Sequence, residues 1–149
     1  MAKTKAKSKA SPTVKVSCAL AFTLQAPAGQ ADVTQGATSG NHAGAVVCPA
    51  KGIGRGAELD AFTTDAAGDL VGKWQQWFNT GTVYGTYDLV PGDSNPTDSF
   101  STASYTGTFV IKGGTGTLAK DTGKGTIKCA TKDSVHYVCK ESGKMVGPK

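Results

Sequence analysis

The chain has 149 residues, of which 38% are hydrophobic and 20 are glycine, and it carries a net charge of +5 at pH 7. This length fits one domain that can bury a core of its own. It contains no apolar run of 18 residues, so we expect no membrane span. Glycine recurs throughout and threonine is frequent, a composition that favours strands and tight turns over helices.

The positive charge is concentrated at the two ends of the sequence. Five lysines precede the first acidic residue, Asp32, and eight lie at or beyond Lys112. We interpret residues 1–12 as a flexible Lys-rich tail and residues 13–149 as a single domain. Arg55 is the single arginine. Because arginine is the preferred reader of phosphate and guanine, we expect no specific nucleic-acid partner.

The strands are predicted in chain order from alternating apolar residues and turn signals. The alternation from Val14 to Leu24 predicts a first strand over residues 13–25. Residues 26–56 are predicted to form a long loop with a short strand around 46–48. Further strands are predicted over 57–64, 70–78, 82–90, 100–112, 125–131 and 137–146. Seven or eight strands with short turns predict an all-β fold. We expect a single antiparallel β-barrel rather than a sandwich, because closure removes exposed strand edges.

Four cysteines suggest that this barrel is braced by disulfides. They are Cys18, Cys48, Cys129 and Cys139, and no close C-x-x-C pair occurs, so we expect no metal and no other cofactor. Three pairings are open, and four free thiols are the alternative. We favour Cys129–Cys139 across a hairpin, together with Cys18–Cys48. Disulfides indicate a secreted, extracellular or periplasmic protein. We expect its export signal to lie upstream of Met1 and to be absent here.

Glycine-rich turns in the second half carry a family resemblance. The segments are Gly85-Thr-Tyr87, Tyr105-Thr-Gly107-Thr-Phe109, Gly113-Gly-Thr-Gly116 and Thr122-Gly-Lys-Gly-Thr126. Over residues 80–147 the chain resembles the allene oxide cyclase and dirigent-type β-barrel superfamily, although Lys120 and Asp121 stand where that family usually has small residues. The resemblance implies a barrel plugged at its base by Leu118. It also implies an apolar or aromatic guest inside, which some members cyclise or couple.

An aromatic hairpin supplies the candidate ligand-binding residues. Trp74 and Phe78 share one face of their strand, and Trp77 takes the other. On the next strand Tyr87 and Tyr84 face opposite sides. One face of this hairpin is predicted to line an apolar cavity with polar tips, the alternative being ordinary barrel core.

Charged residues near the same strands supply candidates for proton transfer. Glu58 and Asp60 face the same way on a strand, and a carboxyl with a raised pKa there would act as an acid or base. The alternative is a charged surface strand with Arg55. His42 lies in the predicted long loop without a visible partner. It is a further candidate at the barrel mouth, whereas His136 is expected to be exposed.

These observations predict a secreted barrel that binds a small hydrophobic or aromatic molecule. An isomerase or cyclase acting by confinement would use Glu58, Tyr84 and Tyr87 as catalytic residues. Its ligand-binding residues would be Trp74, Trp77, Phe78, His42 and Arg55. The alternative is a non-catalytic exported structural or interaction protein with a basic tail, and self-association into a homo-oligomer is left open. An interior cavity of about 300 Å³ or more would favour the ligand-binding function.

Overall fold

A computed structural model describes residues 12–25, 39–50, 53–92, 103–133 and 135–147 as a closed antiparallel barrel. The strands are β1 (Thr13–Gln25), β2 (Ser39–Cys48), β3 (Gly54–Thr64), β4 (Leu70–Phe78), β5 (Gly81–Pro91), β6 (Ala103–Gly114), β7 (Thr122–Thr131) and β8 (His136–Val146). Each strand pairs with its neighbours in sequence, and β1 closes the barrel against β8. The predicted all-β barrel is therefore confirmed. No helix in these ranges is long and apolar enough to cross a membrane.

In the second half of the predicted loop over residues 26–56, the predicted short strand around 46–48 is present but belongs to a longer strand. β2 occupies Ser39–Cys48, and β3 begins at Gly54. The inward positions of β2 include Gly40 and Gly44, which hide the alternation. A Cβ at Gly44 would lie 1.9 Å from the carbonyl oxygen of Ala21, so β1 approaches β2 too closely for a side chain there. Residues 26–38 and 51–52, like residues 1–11 of the predicted tail, lie outside the described residues.

Both favoured disulfides are present, and both point into the barrel. Cys129 lies directly opposite Cys139 on β7 and β8, with their Cα atoms 4.1 Å apart. Cys18 and Cys48 join β1 to β2 with a Cα separation of 4.2 Å. All four cysteines are buried. This pairing is compatible with an oxidising, extracellular environment.

Large inward aromatic rings lie over inward glycines on the adjacent strand. Trp74 is directly opposite Gly85, where a Cβ would lie 2.8 Å from the indole ring. Tyr87 is directly opposite Gly72, where a Cβ would lie 2.4 Å from the phenol ring. The glycines therefore make room for rings inside an eight-stranded barrel, whose interior is just wide enough for its own side chains.

At one end of the barrel, where the chain turns from β6 to β7, Leu118 is buried among core side chains; this is the residue for which the resemblance implies a plug. This residue ends a short 3₁₀ turn, Gly116–Leu118, between β6 and β7, and it is 5% exposed. It adjoins a small space that Ile111 and Met145 also line. The turn is held by the amide of Thr117, which donates to the carbonyl of Thr80 at 2.9 Å.

Leu118→Ala is expected to lower the free energy of unfolding by at least about 2 kcal/mol, because it leaves a cavity among buried side chains. Leu59→Ala is the matched control, since Leu59 is 45% exposed on the outer face of β3. Its expected effect is within about 0.5 kcal/mol. Urea unfolding of both variants measures the difference, and equal effects would show that Leu118 does not close a packed base.

Candidate functional site

Several polar and charged side chains of the described residues are buried. The buried polar and charged residues are His42, Glu58, Asp60, Gln76, Asp121, Thr131 and Glu141. Of these, His42, Glu58, Asp60 and Glu141 line one interior cavity together with aromatic and aliphatic side chains. Glu58 and Asp60 share a face of β3, as predicted, but that face points inward. The alternative of a charged surface strand is therefore wrong for these two carboxyls.

Asp60 is the acceptor for three hydrogen-bond donors. His42 lies directly opposite it on β2, and the His42 backbone amide donates to Oδ1 at 2.7 Å. Nδ1 of the same residue lies 2.9 Å from Oδ1 and 3.1 Å from Oδ2. The Tyr87 hydroxyl donates to Oδ2 at 2.9 Å. Burial and, secondly, the charge of Asp60 raise the pKa of the Tyr87 hydroxyl far above its ordinary value. Tyr87 is therefore a hydrogen-bond donor rather than a base.

The His42 ring is fixed on several sides but keeps one nitrogen unpartnered. Phe62 stacks on it with ring centroids 4.9 Å apart, and Tyr137 meets it edge-on at 5.0 Å. Its Nε2 is buried with no hydrogen-bond partner among the described residues, and the same is true of Trp74 Nε1. A proton on Nδ1 would be held by Asp60 and would leave a lone pair on Nε2. His42 therefore lies on a strand with a carboxylate partner, and the prediction of a partnerless loop histidine is wrong.

Two further carboxyls approach each other through one amide. Gln76 Nε2 donates to Glu58 Oε2 and lies 3.4 Å from Glu141 Oε2. Burial, and next the charge of Glu141, raise the pKa of Glu58 well above its usual value. Burial also raises the pKa of Glu141 to about 7, against the lowering effect of the Gln76 hydrogen bond. The interior therefore holds carboxyl protons near neutral pH.

The cavity between these groups is small. Its volume is about 30 Å³, which is room for about two water molecules. Sites for drug-sized ligands begin near 300 Å³, so the expected open cavity is not present in this structure. Its other lining residues include Phe22, Leu89 and Tyr137. A larger guest would have to displace some of these side chains.

No known protein family, curated protein or solved structure matches the chain. The family resemblance therefore stays a prediction. The function of the site has to be inferred from the geometry of its residues. Within the described residues, no group of three or more His, Cys, Asp or Glu side chains is placed to hold a metal ion.

The predicted site residues divide between the two faces of the sheet. Four of them, Glu58, Tyr87, Trp74 and His42, line the interior cavity. Phe78 is also inside, but it borders a second space of about 20 Å³ beside the turn between β6 and β7. These five predicted residues therefore lie inside the barrel.

Three predicted residues point outward instead. Tyr84 is 46% exposed and Trp77 is 40% exposed, and both line an open outer groove of about 610 Å³. Arg55 is exposed on β3 opposite Val47. None of these three lines the cavity that holds His42, because alternate residues of a strand face opposite sides.

Sequence reasoning missed Gln76 and Glu141. Gln76 lies between Trp74 and Phe78 on the inward face of β4, so the aromatic alternation already indicated its direction. Glu141 alternates with Tyr137 and Cys139 on β8, which places it inside as well. The available signal was the position of each residue: both lie two residues away from apolar residues that point inward on the same strand.

Proposed function

We propose that the barrel interior binds a small, mainly apolar molecule that carries one oxygen function, and that His42 exchanges a proton with it. The observation that supports this proposal is that Nε2 of the buried His42 has no hydrogen-bond partner among the described residues, while its Nδ1 is held by Asp60. A buried nitrogen without a partner costs about 1–3 kcal/mol. A guest with a hydroxyl or carbonyl-derived enol donor would remove that cost. The reaction class that fits is isomerisation or cyclisation by proton transfer.

The surrounding groups support the same assignment. Asp60 orients the imidazole, as a carboxylate does for a histidine base in other enzymes. Glu58 and Glu141 hold protons near neutral pH because burial raises the pKa of both. Phe22 and Leu89 contribute apolar walls. Confinement between such walls lowers a barrier by orientation, which is the mode of action that the family resemblance also implies.

We also propose that the protein is secreted or periplasmic. Two buried disulfides and no free cysteine in the described residues fit a secreted or periplasmic protein. The small molecule would then be met outside the cytosol, with no cofactor required for proton transfer.

The two tryptophans provide the test, because Trp74 lines the cavity and Trp77 lies on the outer surface. In Trp77→Phe, where Trp74 is the sole indole, 2,2,2-trichloroethanol should quench fluorescence saturably. In Trp74→Phe, where Trp77 remains, quenching should be only collisional and linear. 1,1,1-Trichloroethane, which has the same trichloromethyl group without the hydroxyl donor, should bind more weakly. His42→Gln should weaken trichloroethanol binding about three- to tenfold, as expected for one lost hydrogen bond, and leave trichloroethane unchanged.

Two outcomes would contradict the proposal. Linear quenching in both single-tryptophan variants up to the solubility limit would show that the interior admits no guest. Saturable quenching of Trp77 alone would place binding in the outer groove. Thermal unfolding of each variant controls for loss of the fold.

A further inference from the structure

Closure of the barrel brings Lys15, from the first basic segment of the sequence, beside lysines of the second. β1 lies beside β8, and β8 lies beside β7. Five exposed, outward-facing lysines on these strands form what we call the lysine face: Lys15, Lys124, Lys128, Lys140 and Lys144. Nothing in the linear sequence indicates that Lys15 and Lys144 become neighbours.

The lysines stand directly opposite one another. Lys124 pairs in register with Lys144, which also pairs with Lys15. Lys128 pairs with Lys140 in a second lysine row. The two rows are four residues apart, or about 13 Å along the strands. Like charges directly opposite on neighbouring strands are destabilising. The arrangement therefore works against the fold in the isolated protein.

On the described strands, no carboxylate side chain offsets this charge on the same surface. The outward positions of β1, β7 and β8 include no aspartate or glutamate. Glu141 is on β8 but points into the barrel. Within the described ranges, none of the five lysines forms an ion pair. An anionic partner would relieve their repulsion.

We propose that the lysine face binds a linear phosphate polymer that carries no bases. Lysine is a flexible point charge that suits phosphate. With eight strands in the barrel, neighbouring strands are turned by roughly 45° about its axis. Lysines on β7 and β1 thus diverge by roughly 90°, an arc that a flexible chain follows and a flat bilayer does not.

The composition of the face argues against nucleic acid as the partner. Proteins that hold single strands stack bases on aromatic side chains, often with arginine. The outward positions of β1, β7 and β8 include no arginine, phenylalanine, tyrosine or tryptophan; they include Thr126, Ser142 and Ser17. The His136 ring, at the start of β8, is paired with Asp133. The exposed aromatics Trp77 and Tyr84 lie on β4 and β5, away from these strands. The ammonium groups of the lysine face can bind phosphates, but the face has no side chains suited to stacking on bases.

The test measures binding of fluorescein-labelled, long-chain inorganic polyphosphate by anisotropy over a series of salt concentrations. Lys124→Gln/Lys144→Gln removes two charges from the lysine face. Arg55→Gln/Lys73→Gln removes two charges from β3 and β4 and is the matched control. The face variant should bind at least tenfold more weakly, with a salt slope smaller by about two. The control should change affinity less than threefold. Urea unfolding should show the face variant to be at least as stable as the parent, because repulsion is relieved.

Three results would overturn the proposal. Equal weakening by the two variants would show that net charge alone drives binding. Loss of binding only in Lys3→Gln/Lys5→Gln/Lys7→Gln/Lys9→Gln would assign the interaction to the N-terminal residues. Tighter, face-dependent binding of oligothymidylate, or of vesicles containing 30% phosphatidylserine by composition, would replace the phosphate polymer with nucleic acid or membrane.

Discussion

Asp60→Ala is expected to lower the free energy of unfolding by at least about 3 kcal/mol, because it leaves three buried donors without their acceptor. Those donors are the His42 amide, the His42 ring and the Tyr87 hydroxyl. Each buried donor left unsatisfied costs about 1–3 kcal/mol. Asp60 itself is 6% exposed, so water does not easily replace it. Equilibrium urea unfolding with the disulfides intact measures the loss.

Two variants divide this effect into its parts. Tyr87→Phe removes one donor and keeps the carboxylate, and it should cost about 1 kcal/mol. Asp60→Asn keeps an acceptor oxygen and the side-chain shape, so its cost should fall between the other two. If Asp60→Ala were no more costly than Tyr87→Phe, water would be reaching the cluster, and the fixed orientation of His42 would lose its support. In that case the proton-transfer function proposed for His42 would fail with it.

Alternation along single strands could be predicted from the sequence. The opposite directions of Trp74 and Trp77, the inward run of β1 and the Cys129–Cys139 pair each depend on one strand or one hairpin. The period of two is enough to assign relative faces there. It does not say which face is the interior, so the sequence alone does not distinguish the exposed Tyr84 from the buried Tyr87.

Contacts between strands could not be predicted in the same way. The His42–Asp60 pair depends on the register of β2 with β3, and the glycines of β2 concealed that strand. Charged residues on a strand normally indicate a solvent face, so Glu58 and Asp60 were ambiguous until closure placed them inside. The pairing of β1 with β8 joins the two ends of the chain, and local patterns do not encode it. The candidate site and the lysine face both depend on such contacts between strands.

The stability of the barrel should fall as pH rises from about 4.5 towards 8. Burial raises the pKa of Glu141 from 4.5 to about 7 and raises that of Glu58 well above 4.5. The folded state therefore binds these protons more tightly than the unfolded chain does. Their contribution to the free energy of unfolding is complete below pH 4.5. It is lost as the pH rises through their pKa values in the folded state. For Glu141 alone the loss amounts to about 3 kcal/mol, since one pKa unit corresponds to about 1.4 kcal/mol.

Substitution by glutamine separates this effect from other titrations. Glu58→Gln/Glu141→Gln should be more stable than the parent at pH 8, and its unfolding free energy should vary little between pH 5 and 8. Asp88→Asn, on the outer face of β5, is the matched control and should keep the parent's slope. Urea unfolding at several pH values and constant ionic strength gives both profiles. A parent whose stability is flat or rising from pH 5 to 8 would contradict buried, proton-holding carboxyls.

The acid side of the same profile has a different origin. The backbone amide and ring of His136, together with the Val135 amide, hydrogen-bond Asp133 and lower its pKa below the usual 3.8. A lowered carboxyl pKa stabilises the fold above pH 3.8, and the contribution is lost as pH falls. Asp133→Asn should therefore change the acid limb and leave the slope above pH 5 intact. If it changed the slope above pH 5 instead, the carboxyls near Gln76 would not be the sole source of the pH dependence in that range.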